Sequence, residues 1–194
     1  VDAASFTQLR QASGGETDRL AAAVMDIVAQ RDKLHNPVTD SGGMLIGTVR
    51  AVGPALANTV DLKPGERIAT LVSLSLTPLH IARVKAVHLE RDQLDIDGQA
   101  ILFQTGLWAR LPDDIPQTVA LSILDVAGAP AQTARLVRPG DPVLVIGGGG
   151  KSGTLCCLEA RRRTGPKGEG GLVIGLSPLE ADCRRMRELG WVDH

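Results

Sequence analysis

Apolar residues at Leu20, Ala23, Val24, Ile27 and Val28 follow the i, i+3, i+4, i+7, i+8 pattern, which predicts an amphipathic helix over Thr17–Leu34 with Thr17 as its cap. The period then changes. Gly42-Gly43 introduces a strand-like run, MLIGTVRAV, and the turn Asp61-Leu62-Lys63-Pro64-Gly65 leads to another, RIATLVSLSL. RVKAVHL (83–89) and AILF (100–103) also read as strands. Short strands between Gly and Pro turns predict a β-rich region up to about Leu111. From Pro112 the texture is helical, with VALSILDVAGA and AQTARLV leading through Pro139-Gly140-Asp141 into VLVIGG. A domain border is therefore expected at Leu111–Pro112, between regions 1–111 and 112–194.

Residues 143–153, VLVIGGGGKSG, place an apolar strand before Gly147, Gly150 and Gly153, and a helix-like stretch runs from Ser152 to Arg163. This is the layout of a dinucleotide-binding turn. One glycine makes the turn, one lets the backbone approach a pyrophosphate, and one lets helix and strand pack closely. Free amides at the helix N-terminus would hold the phosphates. A P-loop would need Gly at position 145, which is Val; a merely structural glycine turn is the remaining reading. Gly147, Gly149, Gly150, Lys151, Ser152 and Gly153 are the cofactor candidates, with Lys151 directed either to phosphate or to solvent.

A second unit follows: strand LVIGLS, then a helix with Ser177 as N-cap, Pro178 at N1 and Glu180 at N3. Leu179, Cys183, Met186 and Gly190 would share one face. The acid that grips the adenosine ribose is expected near the end of this strand, where Ser177 stands. Ser177 is either a simple cap or a small residue that admits a 2′-phosphate beside Arg184 or Arg185. The cofactor is therefore NAD or NADP.

The net charge of −1 gives no basic stripe for nucleic acid, and Phe6, Phe103, Trp108 and Trp191 are too few for a base-stacking platform. No apolar stretch approaches membrane-spanning length, so no membrane partner is expected. Three Cys, two of them adjacent at 156 and 157, suit a reducing, cytoplasmic setting rather than a disulfide framework. There is no initiator Met, and the chain stops after two strands of what a doubly wound sheet builds from about six. It reads as a piece of a longer protein with both ends missing.

The runs GGMLIGTV (42–49), LKPGERIA (62–69) and RPGDPVLVIGGGGKSG (138–153) resemble the medium-chain dehydrogenase/reductase superfamily, and the spacing of Gly147, Gly150 and Gly153 is most like its quinone-reductase branch. Within it, DAASFTQ (2–8), HNPVTDSGGMLIGTV (35–49), IATLVSLSLTPL (68–79), AILFQTG (100–106) and LDVAGAPAQ (124–132) resemble the family of L-erythro-3,5-diaminohexanoate dehydrogenases of lysine fermentation. Asp32 and Asp40 stand where that family tends to have Gly. The resemblance implies an α/β protein: a GroES-like catalytic domain, followed by the start of a Rossmann doubly wound parallel sheet. It also implies homo-oligomers of the full-length protein.

The implied chemistry is NAD(P)-dependent oxidative deamination of a small diamino acid at C3, giving 5-amino-3-oxohexanoate and ammonia. The alternatives are a zinc-independent quinone or enoyl reductase, or a cofactor-binding piece without turnover. Zinc is not expected: Ser5-Phe6-Thr7 stands in place of the early Cys ligand and Gly42-Gly43-Met44 in place of the G-H-E motif. His35 is the first candidate for proton transfer, or else a loop histidine bonded before Pro37. Asp125 would hold a substrate ammonium or the nicotinamide ribose, or else be a buried acid paired with a helix end. Asp2 and Ser5 sit where the superfamily's first active-site loop begins; a carboxylate there suits a diamine, the alternative being ordinary loop capping. Gln132 and Thr133 are candidate nicotinamide contacts. His80 and His88 read as surface or packing residues.

Overall fold

A computed structural model describes residues 1–194. The chain divides into two compact units, Val1–Leu121 and Ser122–His194, each a mixture of helix and strand.

The first unit opens with two helices, α1 (Ala3–Ala12) and α2 (Thr17–Arg31). The segment from Asp2 to Ser5 is thus a capped helix start rather than a loop. Asp2 Oδ1 accepts from the Ser5 amide at 3.0 Å, satisfying a donor that the first turn leaves without an intrahelical partner. Helix α2 stops three positions before Leu34, because Asp32 adopts a left-handed conformation at φ 53° and its amide closes on Val28 O. Its N-cap is Glu16 rather than Thr17. Phe6 and Leu9 of α1 pack with Leu20, Val24 and Val28 of α2, and Leu34, Leu74, Leu79 and Ile81 complete the core.

Strands β1 (Ile46–Thr48), β2 (Arg67–Thr70) and β5 (Trp108–Arg110) form an antiparallel sheet in the order β1-β2-β5. Strands β3 (Leu79–His88) and β4 (Gln93–Ala100) form a separate hairpin, with Val84 opposite Ile96. The run AILF lies mostly beyond β4, and Ile101 and Phe103 are exposed. Helix α3 (Gln117–Leu124) begins in this unit. Gln93 Nε2 donates to Thr118 O at 3.3 Å and Arg67 bonds to Gln117, which ties the start of α3 to the first compact unit.

In the second unit, α4 (Gly128–Leu136) precedes a parallel pair, β6 (Val143–Ile146) and β7 (Val173–Leu176), joined through α5 (Lys151–Thr164). Helix α6 (Glu180–Glu188) follows. Cys157, Ala160, Val173, Met186 and Val192 form the core. Along β6 the pleat turns Val143 and Val145 toward this core and leaves Leu144 and Ile146 exposed. A half-buried guanidinium ties the unit together: Arg161 donates to Trp191 O, Gly165 O and Gly171 O, and pairs with Asp193. Asp193 Oδ2 also accepts from Val173 N at 2.7 Å. Burial opposes the Asp193 charge, but the Val173 amide and Arg161 outweigh it and hold the carboxyl below its ordinary range.

No helix is long and apolar enough to cross a membrane.

Candidate functional site

In the first unit, the start of α1 meets the loop 35–41, setting Asp2 and Ser5 against Thr39 and Ser41, while within the loop His35 pairs with Asp40. Asn36 shapes the loop. Its side chain is buried, its Oδ1 accepts from Val38 N at 2.9 Å, and its Nδ2 donates to Gln8 Oε1 at 2.9 Å. The Asp40 amide closes on Asn36 O at 2.9 Å, which sets Asp40 in the left-handed region at φ 56°. Asp32 and Asp40, the two positions where Gly is expected, are thus both at positive φ. Aspartate tolerates that region better than most residues do. There the Asp40 carboxylate meets His35: Oδ1 lies 2.5 Å from Nε2. A short His–Asp pair of this kind fixes the ring and its tautomer.

Buried Ser5 Oγ lies 2.6 Å from Thr39 Oγ1 and 2.8 Å from Ser41 Oγ, and Ser41 Oγ donates to Thr39 Oγ1 at 3.0 Å, so three hydroxyls form one closed cluster between helix and loop. Asp2 adjoins it. Burial disfavours its charge, but the Ser5 amide and the nearby Ser5 and Ser41 hydroxyls prevail and keep the carboxyl below its usual range. Asp2 Oδ2 is buried without a hydrogen-bond partner. Gly43 makes this packing possible, because a Cβ there would run into the Val1–Asp2 backbone. The arrangement offers a carboxylate for a cation and an oriented imidazole for a proton.

In the second unit, the glycine turn joins β6 to α5. Gly147 takes φ 80°, a turn that L side chains rarely make. A Cβ on Gly153 would collide with Gly147 O, so the helix start and the turn are in backbone contact. Above Gly150 a Cβ would meet only Gly147 O, at 3.6 Å. Thr154 N is the first amide to bond back into the helix, to Gly150 O at 2.8 Å. The amides of Lys151, Ser152 and Gly153 therefore open α5 without intrahelical acceptors. Exposed Lys151 adds a positive charge beside them. This cradle fits a pyrophosphate.

Ser177 is not the N-cap of α6. The helix begins at Glu180 with Leu179 as N-cap, because the Ser177 hydroxyl is engaged by Asp182 Oδ2 at 2.9 Å rather than by Glu180. Leu179 is exposed, leaving Met186 as the buried member of the expected face. Asp182, absent from the sequence reading, lies against Gly149, where a Cβ would strike its carboxylate. The signal for it was an acid in the first turn of the helix that follows the second strand.

Asp125 lies exposed in the turn between α3 and α4, not buried against a helix end. Gln132 is exposed on α4, and Thr133 Oγ1 donates back to Ala129 O at 3.0 Å. His80 is exposed on β3, and His88 pairs with Asp95 at 2.9 Å. All three cysteines are free thiols, and burial with neighbouring Cys156 pushes Cys157 up to about 11. No three His, Cys, Asp or Glu side chains converge as metal ligands would.

Residues 1–112 match the family described as L-erythro-3,5-diaminohexanoate dehydrogenase N-terminal domain. The enzyme of that name from Acetoanaerobium sticklandii is 52% identical over 193 residues, 100% of this chain and 55% of that protein. Its counterpart from Fusobacterium nucleatum subsp. nucleatum is 52% identical over 176 residues, 91% of this chain and 50% of that protein. The chain thus spans about half the length of these curated relatives. The crystal structure of AibC is similar with a TM-score of 0.52 at 24% identity, over 87% of this chain and 48% of that one; the likeness concerns the fold alone.

Proposed function

The chain belongs to the L-erythro-3,5-diaminohexanoate dehydrogenase family, and from that premise we propose that the full-length protein oxidatively deaminates L-erythro-3,5-diaminohexanoate at C3. The observation that carries this reading is the 52% identity over the whole chain to a relative of that name. In balance, the substrate, water and oxidised cofactor give 5-amino-3-oxohexanoate, ammonia, reduced cofactor and a proton. In this reading the first unit is a GroES-like catalytic domain and the second is the opening half of a Rossmann sheet, in a cytoplasmic enzyme.

Gly147, Gly149, Gly150, Lys151, Ser152 and Gly153 would hold the pyrophosphate of NAD or NADP, whose nicotinamide supplies hydride-accepting chemistry when bound. The other tasks fall to side chains. His35, held by Asp40, takes the proton from the C3 ammonium, since an amine must be neutral before it can lose hydride. The same imidazole, or one of the Ser5–Thr39–Ser41 hydroxyls, orders the water that adds to the substrate imine. Asp2 has a buried, unpartnered oxygen that suits an ammonium, and the Ser5 amide and hydroxyl favour its charged form. Asp125 and Gln132 are candidates for the substrate's second ammonium and the nicotinamide ribose or amide.

The test is reduction of NAD⁺ and NADP⁺ by the full-length protein with 3,5-diaminohexanoate, run beside crotonyl-type and quinone substrates with reduced cofactor. Diamine-dependent formation of reduced cofactor is expected, and it should fall by about a hundredfold or more in His35→Ala. Turnover of enones or quinones alone would overturn the reading.

A further inference from the structure

Helix α1 holds the loop 35–41 from two of its side chains. Ser5 meets Thr39 and Ser41 at one end of the loop, and Gln8 meets Asn36 at the other, beside His35. Ser5 and Gln8 stand at i and i+3, so they are neighbours on the helix surface. The direction of the second bond is fixed by chemistry. Asn36 Oδ1 accepts from a backbone amide, Val38 N, at 2.9 Å, so the other end of this side chain is the donor. Its Nδ2 lies 2.9 Å from Gln8 Oε1, which therefore accepts. Asn36 is 1% exposed. A buried N–H without an acceptor is costly, so the place of Gln8 constrains the place of Asn36.

Asn36 carries that constraint to the His–Asp pair. Its carbonyl accepts from Asp40 N, and its amide donates to Ser41 O, both at 2.9 Å. The Asp40 side chain is 90% exposed, so its position is set by the loop backbone and by His35, not by packing. Resting on the reading of His35 as the proton-transfer group, we propose that Gln8 is a positioning residue for the deamination: through Asn36 it holds the imidazole at a fixed spacing from the Asp2 carboxylate that caps the same helix. Gln8 bonds to neither His35 nor Asp40 and takes no part in proton transfer. Its task is geometric, because a proton acceptor displaced by a fraction of an ångström loses much of its value. A neutral or a charged acceptor at position 8 serves equally, provided it reaches Asn36 Nδ2.

The experiment follows diamine oxidation by the full-length protein in wild type, Gln8→Glu, Gln8→Met, His35→Ala and the double variant Gln8→Met/His35→Ala, beside nitrogen NMR of the labelled His35 ring. Gln8→Met removes the acceptor at similar length and should lower kcat about tenfold with KM within about twofold. Gln8→Glu keeps the acceptor and should stay within about twofold of wild type in both constants. The His35 ring should show one tautomer in wild type and Gln8→Glu, and an averaged signal in Gln8→Met. In the His35→Ala background, Gln8→Met should cost nothing further, the non-additivity expected of residues that act as a unit. An undiminished kcat in folded Gln8→Met, an unchanged ring signal, or a loss that simply adds to that of His35→Ala overturns the assignment while leaving His35 in its role. Full turnover in His35→Ala overturns the proton-transfer reading itself, and this inference with it. Should Gln8→Met not fold, Gln8→Ala, which leaves Asn36 Nδ2 to water, takes its place; if neither folds, the bond belongs to the fold and the assignment fails.

Discussion

The two units present their chemistry in opposite ways. In Val1–Leu121 the candidate groups are side chains: a carboxylate, three hydroxyls and an imidazole, positioned by a loop that folds around buried Asn36. In Ser122–His194 the candidate surface is backbone, bare amides and glycines with contacts too close for a Cβ. The cores differ in parallel. The first has nine buried apolar residues spread over two helices, a hairpin and their connections. The second has five, and adds a guanidinium with four partners. A side-chain site tolerates small backbone shifts if the rotamers hold; a backbone site does not. The second unit is therefore expected to respond more sharply to a change in its scaffold.

The largest effect is expected at Arg161. Arg161→Met leaves half-buried Asp193 without its guanidinium partner and three carbonyls without a side-chain donor, a loss of about 2–4 kcal/mol. Hydrogen exchange in the full-length variant should quicken across Ser122–His194 and leave Val1–Leu121 unchanged. Equal loosening of both units would break the comparison. Next comes Gly153→Ala. The added methyl meets Gly147 O, a backbone atom that cannot rotate away, and should cost about 1–3 kcal/mol as overpacking. Dinucleotide affinity should fall with it, and intact affinity would remove the backbone turn from the site.

The same contrast explains what was legible in the sequence. A backbone site needs glycine at fixed spacing, and Gly147, Gly150 and Gly153 announced it together with the helix they open. Side-chain juxtapositions carried no such signal. That Asp40 would meet His35 depends on a left-handed residue that no periodicity reveals. Helix α1 is legible in the Asp2 cap and the Phe6–Leu9 spacing, whereas the resemblance implies the start of an active-site loop there. Strand β4 hid in plain alternation, Leu94-Asp95-Ile96-Asp97, while the more apolar AILF run lies mostly beyond it. Ser177 matched a capping box by type, and yet the helix starts later because Asp182 takes up its hydroxyl.

A smaller effect, with stability and activity moving in opposite directions, should follow Asp40→Gly. Glycine relieves the left-handed backbone by about 1 kcal/mol, so the unfolding midpoint should rise slightly. His35 loses its partner, so diamine turnover should fall by about tenfold. Undiminished turnover would mean that the His–Asp contact belongs to the loop and not to the chemistry, and the first unit's site would rest on Asp2 and the hydroxyls.

The smallest effect is the dependence on pH that Asp193 adds to the second unit. Asp193 titrates lower in the folded chain than the ordinary aspartate value of about 3.9. Its ionised form therefore stabilises the fold fully above that value, and the contribution fades as pH falls through the lowered folded value. Urea midpoints of wild type and Asp193→Asn, followed from about pH 6 to about pH 3, should converge on the acid side. Parallel curves would mean that the Val173 amide needs only an acceptor oxygen, and that Arg161 holds this unit through its three carbonyls rather than through charge.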